Sequence, residues 1–301
     1  MAGITLNPSD GSHKITKINC GSSSPYLGGT VNLAQFAFLQ EFDGGDNNLS
    51  AVTGMENLST LLTFKIQGAN TVDFNVDLLT NSLQNLDVRG SNTIKGALAD
   101  LPTSLKSILL TGQTSIGQSI QFMPSGVLYV NITGQNKIGG SLNLMNCPAC
   151  TYFNIAGTHT IGGTIDNLPP GLTYFSLSSG NGGTGNTTTG SINNLPATLK
   201  TYSNGTVGNV TGNIANLPSG LEFFSMSGAN TTTGDIADLP STIKYFSNGG
   251  QNTTFGNLQD LPSGITFYSN RGRNTATGYY DGTVTGAGQK SWASNMQFLP
   301  G

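Results

Sequence analysis

The sequence predicts a mainly β solenoid of about ten 22-residue turns, with a parallel β-sheet face and little or no α-helix. Three observations predict it. A pattern running LPSGLEFFSMSGANTTTGDIAD from Leu217 restarts at Leu239–Pro240, and a fixed period of this length marks a chain whose every turn is one stacked unit. Counting Leu217 as position zero, Leu221 stands at four, Phe224 at seven, Met226 at nine and Ile236 at nineteen. Residues four to nine therefore read apolar-x-x-apolar-x-apolar, and the last three alternate as a strand does. Finally, the 42 glycines keep phase with the apolar positions, as at Gly228 (eleven) and Gly234 (seventeen). That suits repeated tight bends rather than disorder.

Taken in order, residues 1–34 carry no repeat. Short alternating pieces (Ile15, Ile18) broken by Gly, Ser and Pro read as an N-terminal cap or attachment segment. The solenoid spans 35–282. It opens with a degenerate turn, with Leu39, Phe42, Asn48 and Leu49 near the expected phase. Clear turns then start at Asn57, Leu79, Leu101, Met123, Asn146, Leu168, Leu195, Leu217, Leu239 and Leu261. The turn from Leu168 holds about five extra residues around GNGGTGN before Gly190 and Ile192 restore the phase. Residues 283–301 leave the pattern and read as a C-terminal cap, with Trp292, Met296, Phe298 and Leu299 as its apolar lid.

Each recurring position has a physical task. Stacked strands would pair ~4.8 Å apart, so ten turns would extend on the order of 45–50 Å. Asparagine at thirteen (Asn70, Asn92, Asn136, Asn230, Asn252, Asn274) can turn its amide inward and serve backbone groups freed where the strand ends, as a structural ladder. Proline at one fits an extended or 3₁₀-like return arm, and no window has the length and periodicity of an α-helix.

These residues resemble leucine-rich repeats. DLPTSLKSILLTG, DLPSTIKYFSNG and NLPPGLTYFSLSSG look like the short bacterial LPxxLxxL class, and Asn230-Thr-Thr-Thr-Gly234-Asp-Ile236 resembles the plant-type NxLxGxI segment. The likeness covers 57–282. It departs in that Asn sits one residue later after the strand, and the following leucine is mostly threonine. The resemblance implies a curved solenoid whose sheet face binds other macromolecules, and it implies no catalysis.

Composition excludes several function classes. Charged residues are 9% and the net charge is -3, which leaves no electrostatic footprint for nucleic acid or an anionic membrane. No run of about eighteen apolar residues occurs, so no membrane insertion is expected. The N-terminus lacks the basic start and apolar core of a Sec-type signal. Three cysteines do not make a disulfide framework, which points to folding in a reducing cytosol.

The expected binding surface is the outward sheet face. Position six carries an aromatic file, Tyr129, Tyr152, Tyr174, Phe223, Tyr245 and Phe267, beside an Asn/Ser file at position eight. Exposed aromatics in a row mark contact with a partner protein or a glycan, although aromatics also simply stack up a ladder. Asn204, Asn248 and Asn270 at position nine point inward and read as an internal hydrogen-bonded ladder. Cys147-Pro-Ala-Cys150 lacks the second pair or histidines that zinc would want, so both read as structural cysteines. His159 replaces a ladder asparagine, and His13 lies far off. Asp100, Asp238 and Asp260, with Asn167, Asn194 and Asn216, precede the Leu-Pro step and read as turn residues rather than calcium ligands. No nucleophile–base pair, paired acids or phosphate loop is present. No enzyme, cofactor or metal is expected.

The leading expectation is a structural or receptor-binding protein of a phage-like particle, located in the virion after synthesis in host cytoplasm. Its partners would be other virion or surface proteins, a cell-surface glycan, or further copies of itself. The alternatives are a bacterial surface or secreted adhesin, extracellular or on the cell surface, and an intracellular interaction scaffold.

Overall fold

The computed structural model describes residues 3–7, 14–21, 27–179, 187–205, 208–272 and 275–277. The insertion at 180–186, Asn274 and the 283–301 segment lie outside them. A typical period makes two strands and one 3₁₀ turn, and in Asn85–Ala97, Ser107–Ser119 and Tyr245–Asn257 the two strands run on as one of 13 residues. In the turn from Leu217 the three elements are Phe223–Ser227, Thr231–Asp235 and Ile236–Asp238. The first strand follows from its alternation: Phe224 and Met226 are buried while Phe223 and Ser225 face out. The 3₁₀ turn starts where a side chain replaces a lost backbone partner. Asp235 Oδ1 accepts from the N–H of Ala237 at 2.9 Å, and Thr164, Ser191, Asn213 and Asn257 cap the corresponding turns in the same way. The extended Leu239 then hands the chain to Pro240. Among the described residues the only helices are ten such three-residue turns.

By contact the chain divides into two units, Met1–Gly139 with Leu144–His159, and Gly140–Asn143 with Thr160–Gly301. Both are parallel-strand solenoids. In the first, Gly3–Asn7 runs antiparallel to Lys14–Asn19, which pairs in parallel with Glu41–Asp46. The ladder continues through Thr63–Gln67, Asn85–Ala97, Ser107–Ser119, Tyr129–Ile132 and Tyr152–Gly157. In the second unit it runs through Tyr174–Ser179, Thr201–Gly205, Phe223–Ser227, Tyr245–Asn257 and Phe267–Gly272.

A second parallel sheet follows the corner of every turn, and its register differs. In the first sheet Phe223 pairs with Tyr245, a step of 245 − 223 = 22 residues. In the second, Thr211 pairs with Thr231, a step of 231 − 211 = 20. Thr233 with Thr253 repeats the step in the second unit, as does Asp73 with Thr93 in the first. A two-residue stagger at ~3.3 Å per residue, across strands ~4.8 Å apart, puts equivalent residues about 8 Å apart on this side. The two sheets are thus registered separately, with glycine corners between them. At Gly90 (φ +76) an added Cβ would lie 2.7 Å from the backbone nitrogen of Gly68, so that corner admits no side chain.

The core is a ladder of position-seven rings. In the second unit Phe175, Tyr202, Phe224, Phe246 and Tyr268 stack with centroids 5.2–5.7 Å apart. In the first, Phe42 and Phe64 stack at 5.6 Å. Asn204 and Asn270 donate to the Tyr202 and Tyr268 hydroxyls at 3.1 and 3.0 Å. Burial still pushes both phenols up, Tyr268 to about 12.

One residue departs from the glycine pattern. Gln118 occupies position seventeen with φ 91, the only positive φ outside glycine among the described residues. Left-handed backbone costs a residue with Cβ roughly 1–2 kcal/mol, and glycine's extra unfolded-state entropy returns part of that. Gln118→Gly is therefore expected to raise stability by about 0.5–1 kcal/mol in urea unfolding. Its lost bond, from the exposed Ala99 N–H to Oε1, is replaced by water. A lowered midpoint would show that this bond outweighs the strain.

Candidate functional site: the outer face of the first sheet

Side chains at position six alternate with the inward ring column, so in-register pairing sets them side by side on the outer face. All six aromatics of the file are half-buried there. In the second unit Phe223, Tyr245 and Phe267 stack with centroids 4.3 Å apart and planes 9° and 7° from parallel. In the first, Tyr129 and Tyr152 stack at 4.3 Å and 15°. Near-parallel planes at that separation turn the ring faces toward neighbouring rings. What meets solvent is a ridge of ring edges and phenol oxygens, and aromatic edges carry the positive end of the quadrupole.

The file has one gap. Thr201 pairs with Tyr174 on one side and Phe223 on the other, so a small side chain stands where the column otherwise carries a ring. Along position eight Ser203, Ser225 and Ser247 lie partly exposed, and in the first unit Asn154 donates to Asn131 at 2.9 Å. The rim at position five holds the exposed Lys200 and the Lys244–Glu222 pair at 2.6 Å. The hydrogen bond from Lys244 and its charge hold Glu222 below the usual carboxylate range.

Earlier turns present a different chemistry on the same face. Lys17–Glu41, Lys65–Asp43 and Arg89–Asp87 form ion pairs at 2.7, 2.9 and 2.7 Å. Within the first unit the face changes from paired charges to tyrosines.

Behind the face, position thirteen is buried. Asn70 accepts from Leu49 N–H at 2.8 Å and donates to the carbonyls of Gly45 and Gln67 at 2.7 and 2.9 Å. Asn92 accepts from Val72 and donates to Arg89, and Asn230 accepts from Val210 and donates to Ser227. Asn136 and Asn252 donate to the carbonyls of Ala156 and Asn248. In the degenerate turn the buried residue is Asn47 rather than Asn48, which is exposed at the start of the strand Asn48–Thr53, paired separately with Gly28–Asn32. Phe42 pairs with Phe64, yet Asn47 follows Phe42 by five residues where Asn70 follows Phe64 by six, so this turn is one residue short at the corner. Thr114 and His159 fill the same column, both buried. At position nine, Asn204 and Asn248 donate to Thr188 and Thr232 at 2.9 Å, and Asn270 donates to Thr254 at 2.5 Å. The sequence reading missed those threonine partners.

Cys147 and Cys150 are buried and unbridged. The Cys147 thiol donates to Cys150, raising its own pKa and lowering its partner's, and Cys150 donates to the Tyr152 carbonyl at 3.2 Å. Asp100, Asp238, Asp260, Asn167, Asn194 and Asn216 each close a 3₁₀ turn. Among the described residues no cluster of three His, Cys, Asp or Glu side chains could hold a metal, and no helix is long and apolar enough to cross a membrane. His13 lies outside the described residues.

Searches against family models and curated proteins find no match. Among solved structures the chain is similar to a TDR receptor (TM-score 0.61, 17% identity, covering 87% of this chain and 52% of that one). It is also similar to the plant peptide hormone receptor RGFR1 in complex with RGF2 (TM-score 0.56, 17% identity, 83% and 42%). An internalin from Listeria monocytogenes matches with TM-score 0.55 and 16% identity, covering 94% of this chain and 88% of its own length. These are leucine-rich-repeat proteins, and the fold here is a leucine-rich-repeat solenoid. The chain spans about half the length of the two receptor structures, 52% and 42%.

Proposed function

We propose that this leucine-rich-repeat solenoid is a non-enzymatic binding module that docks a protein through the outer face of its first sheet. In its finer form the reading makes it a structural or receptor-binding part of a phage-like particle. The observation that carries the docking reading is the stacking of Phe223, Tyr245 and Phe267 at 4.3 Å. A sugar packs its C–H groups against an aromatic face, and here those faces are occupied. Ring edges instead suit the carbonyl oxygens, carboxylates and ring faces of a protein surface. The low charge and the serine file support a setting without electrostatic steering.

Labelled protein should bind saturably to some member of a panel of intact bacterial cells. Stripping those cells with protease should abolish the signal, and periodate oxidation of their glycans should leave it. The triple variant Phe223→Ala, Tyr245→Ala, Phe267→Ala, checked as folded by circular dichroism, should bind at least about a hundredfold more weakly, since central aromatics carry ~1–2 kcal/mol or more each. Undiminished binding by the variant would remove the ridge from the interface. If the folded protein binds no cell and purified particles lack it, the particle reading falls.

A further inference from the structure

We infer that the gap at Thr201 is a receptor slot for one aromatic side chain of the docked protein. The inference deepens the docking reading and rests on it for its biological role. Tyr174, Thr201 and Phe223 are consecutive in-register partners in the second unit, so Tyr174 and Phe223 stand two strand spacings apart, ~9.6 Å. A ring entering midway would lie ~4.8 Å from each wall, inside the range at which aromatic pairs attract. It would also lie close to the 4.3 Å at which the ridge stacks its own rings. The slot takes one ring and no more.

The walls and floor agree with that occupant. Phe223 stacks one face on Tyr245, and its opposite face looks along the ladder toward Thr201. The floor is the half-buried Thr201 side chain, small enough to leave the space open and carrying one methyl group and one hydroxyl. Farther along the strand stand Ser203 and Gly205, both small. Phe223 is held in place by its stack on Tyr245, and all three strands by parallel backbone pairing, so that wall is preorganised and loses little side-chain entropy on binding. At its rim stand the exposed Lys200, whose ammonium lies over Gly220, and the Glu222–Lys244 pair. A partner tyrosine fits: its ring meets the two walls and its hydroxyl is left at the polar, solvent-facing rim. Its ring would complete the stack, and its edge would continue the ridge.

The test uses p-cresol, the side chain of tyrosine as a free molecule, with the full-length protein and the Thr201 methyl signal in carbon–proton NMR. Adding p-cresol should move that signal upfield saturably, as a ring stacked above the methyl requires. Thr201→Tyr supplies the missing ring in cis. It should cut the p-cresol response of the surrounding residues at least about tenfold and weaken cell binding although the ridge remains intact. Should that variant fail to fold, Phe223→Leu removes one wall and should lower the response likewise. No saturable shift at Thr201, or a shift produced by methyl β-glucoside and not by p-cresol, overturns the inference. A p-cresol response in a protein that binds no cell would leave the slot standing and sink only the docking role.

Discussion

Asn70→Leu should lower stability by about 3–5 kcal/mol. The amide of Asn70 serves the Leu49 N–H and the carbonyls of Gly45 and Gln67, all within 2.9 Å, and its side chain is fully buried. Leucine keeps the branched skeleton, is bulkier, and offers neither a donor nor an acceptor. Three backbone groups would then be shut away from water without partners, at ~1–3 kcal/mol each, less what local relaxation recovers. Asn70→Asp separates shape from chemistry: it is isosteric, yet it turns two donor sites toward carbonyl oxygens as acceptors. It should therefore destabilise as severely at neutral pH and less so in acid, where protonation restores one donor. Urea unfolding at pH 7 and pH 4 decides it. A cost below ~1 kcal/mol for the leucine variant would mean that the corner rearranges and the amide is dispensable.

Phe224→Ala should cost about 3–5 kcal/mol. Phe224 is fully buried, stacked on Tyr202 at 5.6 Å and on Phe246 at 5.2 Å. Truncation removes the ring's burial and one link from each of two stacked pairs. Tyr202 limits how far the cavity can close, because its hydroxyl is tied to Asn204. Phe224→Leu keeps much of the volume and should cost roughly 1–2 kcal/mol. Denaturant titration of the two variants should reproduce that order. Equal costs would mean that the aromatic column behaves as generic apolar filling.

Much of the architecture was legible because the period is constant. A 22-residue repeat that keeps Phe224, Phe246 and Tyr268 in one column fixes both the inward face and the first sheet's register. The second sheet's stagger was not legible. A period states how often the chain returns, whereas the offset between neighbours depends on positive-φ corners and on where each 3₁₀ turn begins. The caps at Thr164, Ser191, Asn213, Asp235 and Asn257 did leave a signal, a Ser, Thr, Asn or Asp immediately before the apolar residue at nineteen. At Asn47 a corner one residue shorter than in the next turn broke the count. The aromatic file could be read as a column, but whether its rings showed faces or edges required their planes, and with that came the meaning of the threonine in their midst.

The separate registers bear on how such a chain can change length. Across the inserted turn Tyr174 pairs with Thr201, 27 residues on, while Gly163 pairs with Thr188, 25 residues on. Each interval exceeds its usual value by the same five residues, 27 − 22 and 25 − 20, so both sheets resume as though nothing had been added. Extra sequence at that corner leaves the hydrogen-bonded lattice on either side unaltered. The corner is therefore a place where the repeat can gain length without changing either register, and the place at which an engineer would graft a loop.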